Sequence, residues 1–320
     1  MVLLFVLSKQ HLDLAVAEVL SIAKTCTYEQ HEHLFLVDCT YSKKFLRLAY
    51  TKKICKVLFF CVPSQFEKKF NDFNFKKVYV KSFSARIFGK EHVPFSERTL
   101  GGNIGKMLVT PLVNLKHPTT AFELHTLKNF FVMSTLVHEF TYSFDDRKGH
   151  KRPSLHPSTL HPQLARCLVN LTGIEHGKIL DPFCGSGGIL LEAGLLGFEP
   201  IGYDIDPEMI IRARKNLDYF HLKNYMLACK DATTIHQPFS YMATDLPYGV
   251  NTKKVSYDTL YNSFLTVVKK YCRKKAVICF PDFFDYNPLL KKLQLTKQYE
   301  FTYYLHKSLS KKIVVIDLMK

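Results

Sequence analysis

Asp181-Pro182-Phe183-Cys184-Gly185-Ser186-Gly187-Gly188 stands directly after an apolar run, Lys178 to Asp181, and before Ile189-Leu190-Leu191-Glu192-Ala193. Together these segments predict a strand, a glycine-rich turn and a helix. Glycine permits a tight turn and lets the backbone come close to a ligand. Open α/β sheets bind their ligands beyond the carboxyl ends of the strands. The order Gly-Ser-Gly-Gly lacks the Gly-x-Gly-x-x-Gly of dinucleotide folds, and no Gly-Lys-Ser/Thr follows to make a phosphate loop. Taken alone, the segment is also readable as a plain turn, so its neighbours decide.

Working outward, Pro200 to Asp204, Tyr225 to Cys229, Tyr241 to Asp245 and Ala276 to Phe280 are short apolar strands. Helical stretches lie between them, as at Gly188 to Leu196 and Pro207 to Phe220. This alternation requires a parallel sheet covered by helices, an α/β fold. Tyr299 to Leu305 and Ile313 to Leu318 add two strands joined by a short basic turn.

Three acids end successive strands. Asp204 at the tip of the second strand is placed to bind two ribose hydroxyls through its two acceptor oxygens. Asp206 and Glu208 read as helix N-terminal charges. Asp231, in Lys230-Asp231-Ala232, can accept a bond from an adenine amino group. The fourth strand ends in Thr244-Asp245-Leu246-Pro247-Tyr248-Gly249. Such an Asp-x-Pro-Tyr sequence suits a planar exocyclic amine. The Asp245 carboxylate and the Leu246 carbonyl can each accept one amine hydrogen. Pro247 fixes the following turn, and Tyr248 offers a ring face to a base taken out of its stack. Cys184 reads as a small packing residue.

The first half is organised differently. Residues 2–7, 34–37 and 54–62 read as strands, 11–24 and 42–50 as helices, and 66–77 as a connection. A second unit begins with a strand over 78–86. A helix follows over 96–108, weakened by Gly101, Gly102 and Gly105, then a strand over 111–118 and two more between 121 and 140. The charged stretch 145–153 reads as a linker.

The chain of 320 residues carries 44 basic and 28 acidic residues, a net charge of +16. Residues 1–150 hold 21 basic and 13 acidic residues, leaving 44 − 21 = 23 and 28 − 13 = 15, so each part nets +8. The surplus points to a polyanion touching both parts. Nine cysteines include no C-x-x-C pair, which argues against a metal site and for reduced thiols in a cytoplasmic protein. His156 and His161 each precede proline without a ligand partner at metal spacing, so pocket lining or contact with the polyanion is expected of them. The apolar start is six residues long and followed by Lys9, Gln10 and His11, a buried strand rather than a signal peptide. No apolar run reaches the roughly 20 residues that span a bilayer.

The segments Asp181 to Gly188 and Asp245 to Gly249 resemble motifs I and IV of class I S-adenosylmethionine-dependent amino-methyltransferases. They are most similar to the archaeal tRNA guanosine N2-methyltransferases acting at position 10 and to the related eukaryotic enzyme. Arg152-Pro153, His156-Pro157 and Leu160-His161-Pro162 are similar to that family's segment before motif I, and His306-Lys307-Ser308-Leu309 to its C-terminal segment. Lys311 and Lys312 stand where arginines often follow, and Ser186 where threonine is usual. Ser82 to Arg86, the glycine helix and Val113 to Pro118 resemble the THUMP domain, an RNA-binding module.

The resemblance implies a Rossmann-like methyltransferase sheet over 156–320, preceded by a ferredoxin-like unit (1–62), a THUMP-like domain (63–144) and a linker (145–155). It implies S-adenosylmethionine bound by Asp181, Pro182, Phe183, Gly185, Ser186, Gly187, Asp204, Ile205, Asp231 and Ala232. Catalysis would rest on Asp245, Leu246, Pro247 and Tyr248. RNA contacts would come from Arg86, Lys106, Lys116, Arg152, His156, Lys253, Lys254, Lys311 and Lys312. The implied product is N2-methyl- or N2,N2-dimethylguanosine at tRNA position 10. The expected partner is tRNA, with neither DNA nor a membrane, a small activator subunit left open, and a monomeric enzyme. The alternatives are guanosine at tRNA position 6 or in ribosomal RNA, adenine N6 in DNA, and a non-catalytic RNA-binding module.

Overall fold

The computed structural model describes residues 1–25, 27–141, 143–154, 159–248, 257–306 and 309–319. Two compact units emerge. One comprises Met1–Leu12, Thr25–Lys43 and Thr51–Thr141; the other comprises Asp13–Lys24, Lys44–Tyr50 and Tyr142–Lys320.

The first unit is built on one sheet of seven strands: β1 (Val2–Leu7), β2 (Tyr28–His31), β3 (Leu34–Asp38), β4 (Thr51–Cys61), β5 (Phe83–Phe88), β6 (Thr120–Leu127) and β7 (Phe130–Glu139). Their order is β2-β3-β1-β4-β7-β6-β5, antiparallel except for β5 beside β6. No break falls at residue 62, because β4 pairs with both β1 and β7. The two small units expected over 1–62 and 63–144 therefore share a sheet. Two helices belong here, α2 (Phe66–Asp72) and α3 (Glu97–Met107). Phe66, Phe70, Phe75, Phe83, Leu100, Ile104 and Phe122 form their common core.

Several local expectations shift. The stretch 66–77 carries α2 and a 3-10 turn, because its phenylalanines recur at helical spacing and are buried. The strand expected from Val78 starts only at Phe83. The strand over 111–118 reduces to one bridge, Phe83 to Val113, since Pro111 and Pro118 limit ladder donors.

The second unit contains α1 (Leu12–Ala23) from the amino-terminal part of the chain. Its Glu18, wholly buried, accepts bonds from the backbone N–H groups of Ala49 and Tyr50 and from Asn170 Nδ2, at 2.9, 3.0 and 2.7 Å. The helix expected over 42–50 is a 3-10 turn at Lys43–Arg47, whose following chain is held by that carboxylate.

The remaining elements are α4 (Pro162–Leu171), β8 (Lys178–Asp181), α5 (Gly188–Leu195), β9 (Glu199–Asp204), α6 (Pro207–Tyr219), β10 (Met226–Cys229), β11 (Phe239–Asp245), α7 (Tyr257–Tyr271), β12 (Cys272–Pro281), α8 (Asn287–Lys292), β13 (Lys297–His306) and β14 (Leu309–Asp317). The sheet runs β10-β9-β8-β11-β12-β14-β13. Strands β8 to β12 are parallel, and the hairpin β13–β14 adds antiparallel strands beside β12. The strand order reverses between β8 and β11, which places a ligand crevice at their carboxyl ends.

The expected linker is folded into this unit. Arg147 Nη2 reaches the wholly buried Glu192 at 3.3 Å, between two 3-10 turns. Among the described residues, no helix is long and apolar enough to cross a membrane.

Candidate active site

Gly185 and Gly187 have φ of +50° and +83°, which favours glycine at both positions. At Gly187 an added methyl would also meet Ala213 Cβ at 3.3 Å. At Gly185 nothing lies within 4 Å, so the turn leaves open space there. The loop is held from below by Asn216, whose Nδ2 donates to Ser186 O and Ser154 O at 2.9 and 3.1 Å. Ser186 Oγ is 3.0 Å from Thr159 Oγ1. Cys184 is buried among Leu190, Leu191, Ile210 and Leu217, as a packing residue would be; burial pushes its thiol far up.

Asp181, at the end of β8, accepts from Thr244 Oγ1 at 2.7 Å and from the Phe183 N–H at 3.2 Å, both at Oδ1. It thus links the glycine turn to β11. Burial pushes its carboxyl up to about 7 against those two bonds. Phe183 packs edge-on against Phe264 at 4.9 Å.

Asp204 accepts from the Gly185 N–H at Oδ2, 2.8 Å, and from the Asp206 N–H at Oδ1, 3.0 Å. Burial raises its carboxyl while these backbone bonds oppose the rise. Each oxygen keeps acceptor capacity for a hydroxyl. Ile205 beside it is 71% exposed, an apolar side chain left open at a strand end. Asp231 accepts from Thr233 N and Thr233 Oγ1, both at Oδ1 and both 2.8 Å, and caps the turn starting at Ala232. Its Oδ2 has no partner among the described residues. An open glycine turn, a polar strand tip beside an apolar face and a spare carboxylate oxygen fit an adenosine with an attached chain.

Asp245 ends β11, and the Leu246 N–H donates to Cys279 O at 3.0 Å. The Leu246 carbonyl accepts no bond among the described residues. Tyr261 Oη donates to Pro247 O at 2.8 Å and so fixes the turn. Lys311 of β14 reaches over β12 to bond both oxygens of Asp245. It is 1% exposed. Burial acts against its ammonium, but the Asp245 carboxylate more than offsets this and leaves Lys311 above its ordinary value. The same ammonium lies 4.5 Å from the centre of the Tyr248 ring. One face of Tyr248 is thereby taken, and a base would use the other.

Two expected RNA contacts are corrected by these positions. Lys311 is buried on Asp245 because β14, antiparallel to β12, places it opposite Pro281 at the carboxyl end of the sheet. Arg152 is 5% exposed, and a methyl on Gly188 would come within 3.2 Å of its Nη1. Arg86, Lys106 and Lys116 are exposed in the first unit, Arg86 paired with Glu97 at 3.1 Å. Lys312 is half-buried and donates to Thr302 Oγ1. His156, Lys253 and Lys254 lie outside the described residues. In sequence, alternation along β14 places Lys311 and Lys312 on opposite faces; that signal, with Asp245 two strands away, could have separated their roles.

A cluster of Cys55, Glu123 and His125 in the first unit has metal-ligand chemistry that spacing did not suggest. Glu123 is already bonded there by Lys53 and His125, at 2.6 and 2.9 Å.

A family model described as UPF0020, RMKL-like, methyltransferase domain, matches residues 149–311. A second model, described as DNA methylase, matches residues 27–215 and so ends before Asp245. The tRNA (guanine(10)-N2)-dimethyltransferase of Methanothermobacter thermautotrophicus is 29% identical over 337 residues, covering 99% of both chains. Its namesake from Pyrococcus abyssi is 33% identical over 228 residues, covering 69% of this chain and 68% of that one. The crystal structure of TrmN from Thermus thermophilus covers 99% of each chain at 17% identity with a TM-score of 0.51, a likeness of fold. The match over both units, together with the methyltransferase domain around Asp181 and Asp245, makes this chain a member of the tRNA (guanine(10)-N2)-dimethyltransferase family.

Proposed function

We propose that this enzyme methylates the exocyclic N2 of guanosine 10 in tRNA, once or twice, with S-adenosylmethionine as donor. The observation that carries the reading is Asp245, set beside a Leu246 carbonyl that accepts no bond among the described residues, at the carboxyl end of β11 and within the sheet that holds the Asp181–Gly188 turn. S-adenosylmethionine supplies an electrophilic methyl group on a sulfonium. Gly185–Gly187, Asp204, Ile205, Asp231 and Ala232, with Asp181, Pro182 and Phe183 behind the turn, are the residues that would hold it.

A guanine amine is a weak nucleophile because its lone pair is conjugated with the ring. Asp245 and the Leu246 carbonyl accept its two hydrogens and draw the nitrogen toward tetrahedral geometry. Asp245 then takes the proton the amine loses. Lys311 favours the ionised form of Asp245 against its burial, and much of the rate comes from positioning. The target base has to leave the RNA stack to reach Asp245.

The first unit is read as the THUMP-like RNA grip. Arg86, Lys106 and Lys116 would meet phosphates, as would Lys312, Lys253, Lys254 and His156 of the second unit. RNA shape and phosphate contact would set that binding. The enzyme is read as a cytoplasmic monomer, with a small activator subunit left open. Full-length similarity to tRNA enzymes favours this substrate over DNA.

The test is mass spectrometry of nucleosides from tRNA transcripts carrying guanosine or adenosine at position 10. Methylguanosine is expected only from the first transcript. Equal incorporation into both would overturn the assignment. With Asp245→Asn, methylation should fall at least 100-fold while tRNA binding persists; near-normal turnover would refute the role of Asp245.

A further inference from the structure

Three guanidinium groups gather under the glycine turn of the second unit. Arg147 and Arg166 both pair with Glu192 of α5, Arg147 on Oε1 and Oε2 and Arg166 on Oε2 at 2.8 Å. Arg152 donates only its Nε, to Arg147 O at 2.8 Å. Its Nη1 and Nη2 are shielded from solvent and have no hydrogen-bond partner among the described residues. They face Gly188, the first residue of α5: a methyl there would lie 3.2 Å from Nη1 and 3.9 Å from Nη2. Asp145, the nearest acid along the chain, is exposed and paired with Lys148. Glu192 is thus the buried carboxylate that Arg147 and Arg166 bond, while Arg152 bonds no carboxylate among the described residues.

Buried guanidinium N–H groups without an acceptor are costly, because they have lost water and gained no bond in return. Arg152 stays charged at neutral pH: burial lowers it to about 10, partly against Glu192. Nη1 and Nη2 of Arg152 therefore present unmatched donors at the edge of the turn, beside the amino end of α5. Planar paired donors of this kind match a carboxylate.

We propose that Arg152 receives the carboxylate at the amino-acid end of the methyl donor. This rests on the reading of the glycine turn as the donor site. Arg152 then ties the 147–154 segment to donor binding, and Gly188 leaves the guanidinium room that a Cβ at 3.2 Å from Nη1 would crowd.

The experiment is calorimetry on the full chain with S-adenosylhomocysteine and with its decarboxylated analogue, for wild type, Arg152→Met and Arg152→Lys. In wild type the carboxylate should be worth roughly 10- to 100-fold in affinity, the range for charged hydrogen bonds. Arg152→Met should bind the decarboxylated analogue as wild type does and lose most of the preference for the carboxylate. Arg152→Lys should keep part of that preference. Unchanged binding of the analogue also reports that the variant is folded; if Arg152→Met does not fold, Arg152→Lys decides alone, and an undiminished preference there refutes the proposal. A full preference retained in Arg152→Met would overturn it. So would unchanged binding of both ligands with a loss of tRNA affinity, which would assign Arg152 to an RNA phosphate. If wild type bound neither ligand, the donor-site reading itself would fail.

Discussion

Replacing Lys311 by methionine removes a charge and keeps the side-chain volume. The ammonium touches both oxygens of Asp245 and is shut off from solvent. At about 4 Å and an effective dielectric of about 20, two unit charges attract by about 4 kcal/mol. Burial already pushes this carboxyl up, and Lys311 is the group opposing it. Without Lys311, burial acts unopposed and Asp245 should hold its proton to higher pH than in wild type, and a protonated carboxyl is a poorer acceptor for the guanine amine. Single-turnover methylation of tRNA by Lys311→Met should fall by 10- to 100-fold at the acidic end of a profile from pH 6 to 9 and recover toward its alkaline end. Lys311→Arg, which keeps the charge, should retain the wild-type profile. The folded state of Lys311→Met binds the Asp245 proton more tightly than the unfolded chain. Its stability relative to wild type should therefore be greatest at low pH and fall as pH rises through the new value. Rate profiles for wild type and Lys311→Met that run parallel from pH 6 to 9 would refute the reasoning and leave Lys311 as a packing residue.

Asp204→Ala should weaken S-adenosylmethionine binding by about 1.5–3 kcal/mol, measured by calorimetry; unchanged affinity would restrict Asp204 to holding Gly185 and Asp206. Asp181 has a carboxyl raised to about 7, so its contribution to stability is complete below the unfolded value near 4 and is lost as pH rises toward 7. Chemical denaturation should accordingly show wild type losing about 2 kcal/mol relative to Asp181→Asn between pH 5 and 7, and a pH-independent difference would contradict the burial argument. Glu18→Ala should destabilise the protein by roughly 3 kcal/mol or more, since two backbone N–H groups and Asn170 lose their buried acceptor. A melting temperature within a degree of wild type would count against that.

Periodicity and turn chemistry were enough to read the second unit from sequence. Strands β8 to β12 fall where the apolar runs lie, and the acids Asp181, Asp204, Asp231 and Asp245 fall at their ends. These features are local: a buried parallel strand must be apolar, and a ligand-binding strand tip must carry a polar group or a glycine. The motif Asp245-Leu246-Pro247-Tyr248 is legible for the same reason. Where the readings failed, contacts across the chain were decisive. Helix α1 and residues 44–50 join the second unit because the buried Glu18 carboxylate needs donors that Ala49, Tyr50 and Asn170 supply from distant positions. Strand β4 fuses the two expected amino-terminal units because its two edges pair with β1 and β7. Lys311 and Arg152 look like surface charges in a basic chain, and their burial follows only once β14 lies beside β12 and the 147–154 segment folds against α5. Composition reports how many charges a chain carries; which of them lose water is decided by strand pairing and packing between residues far apart in sequence, and no local pattern records that.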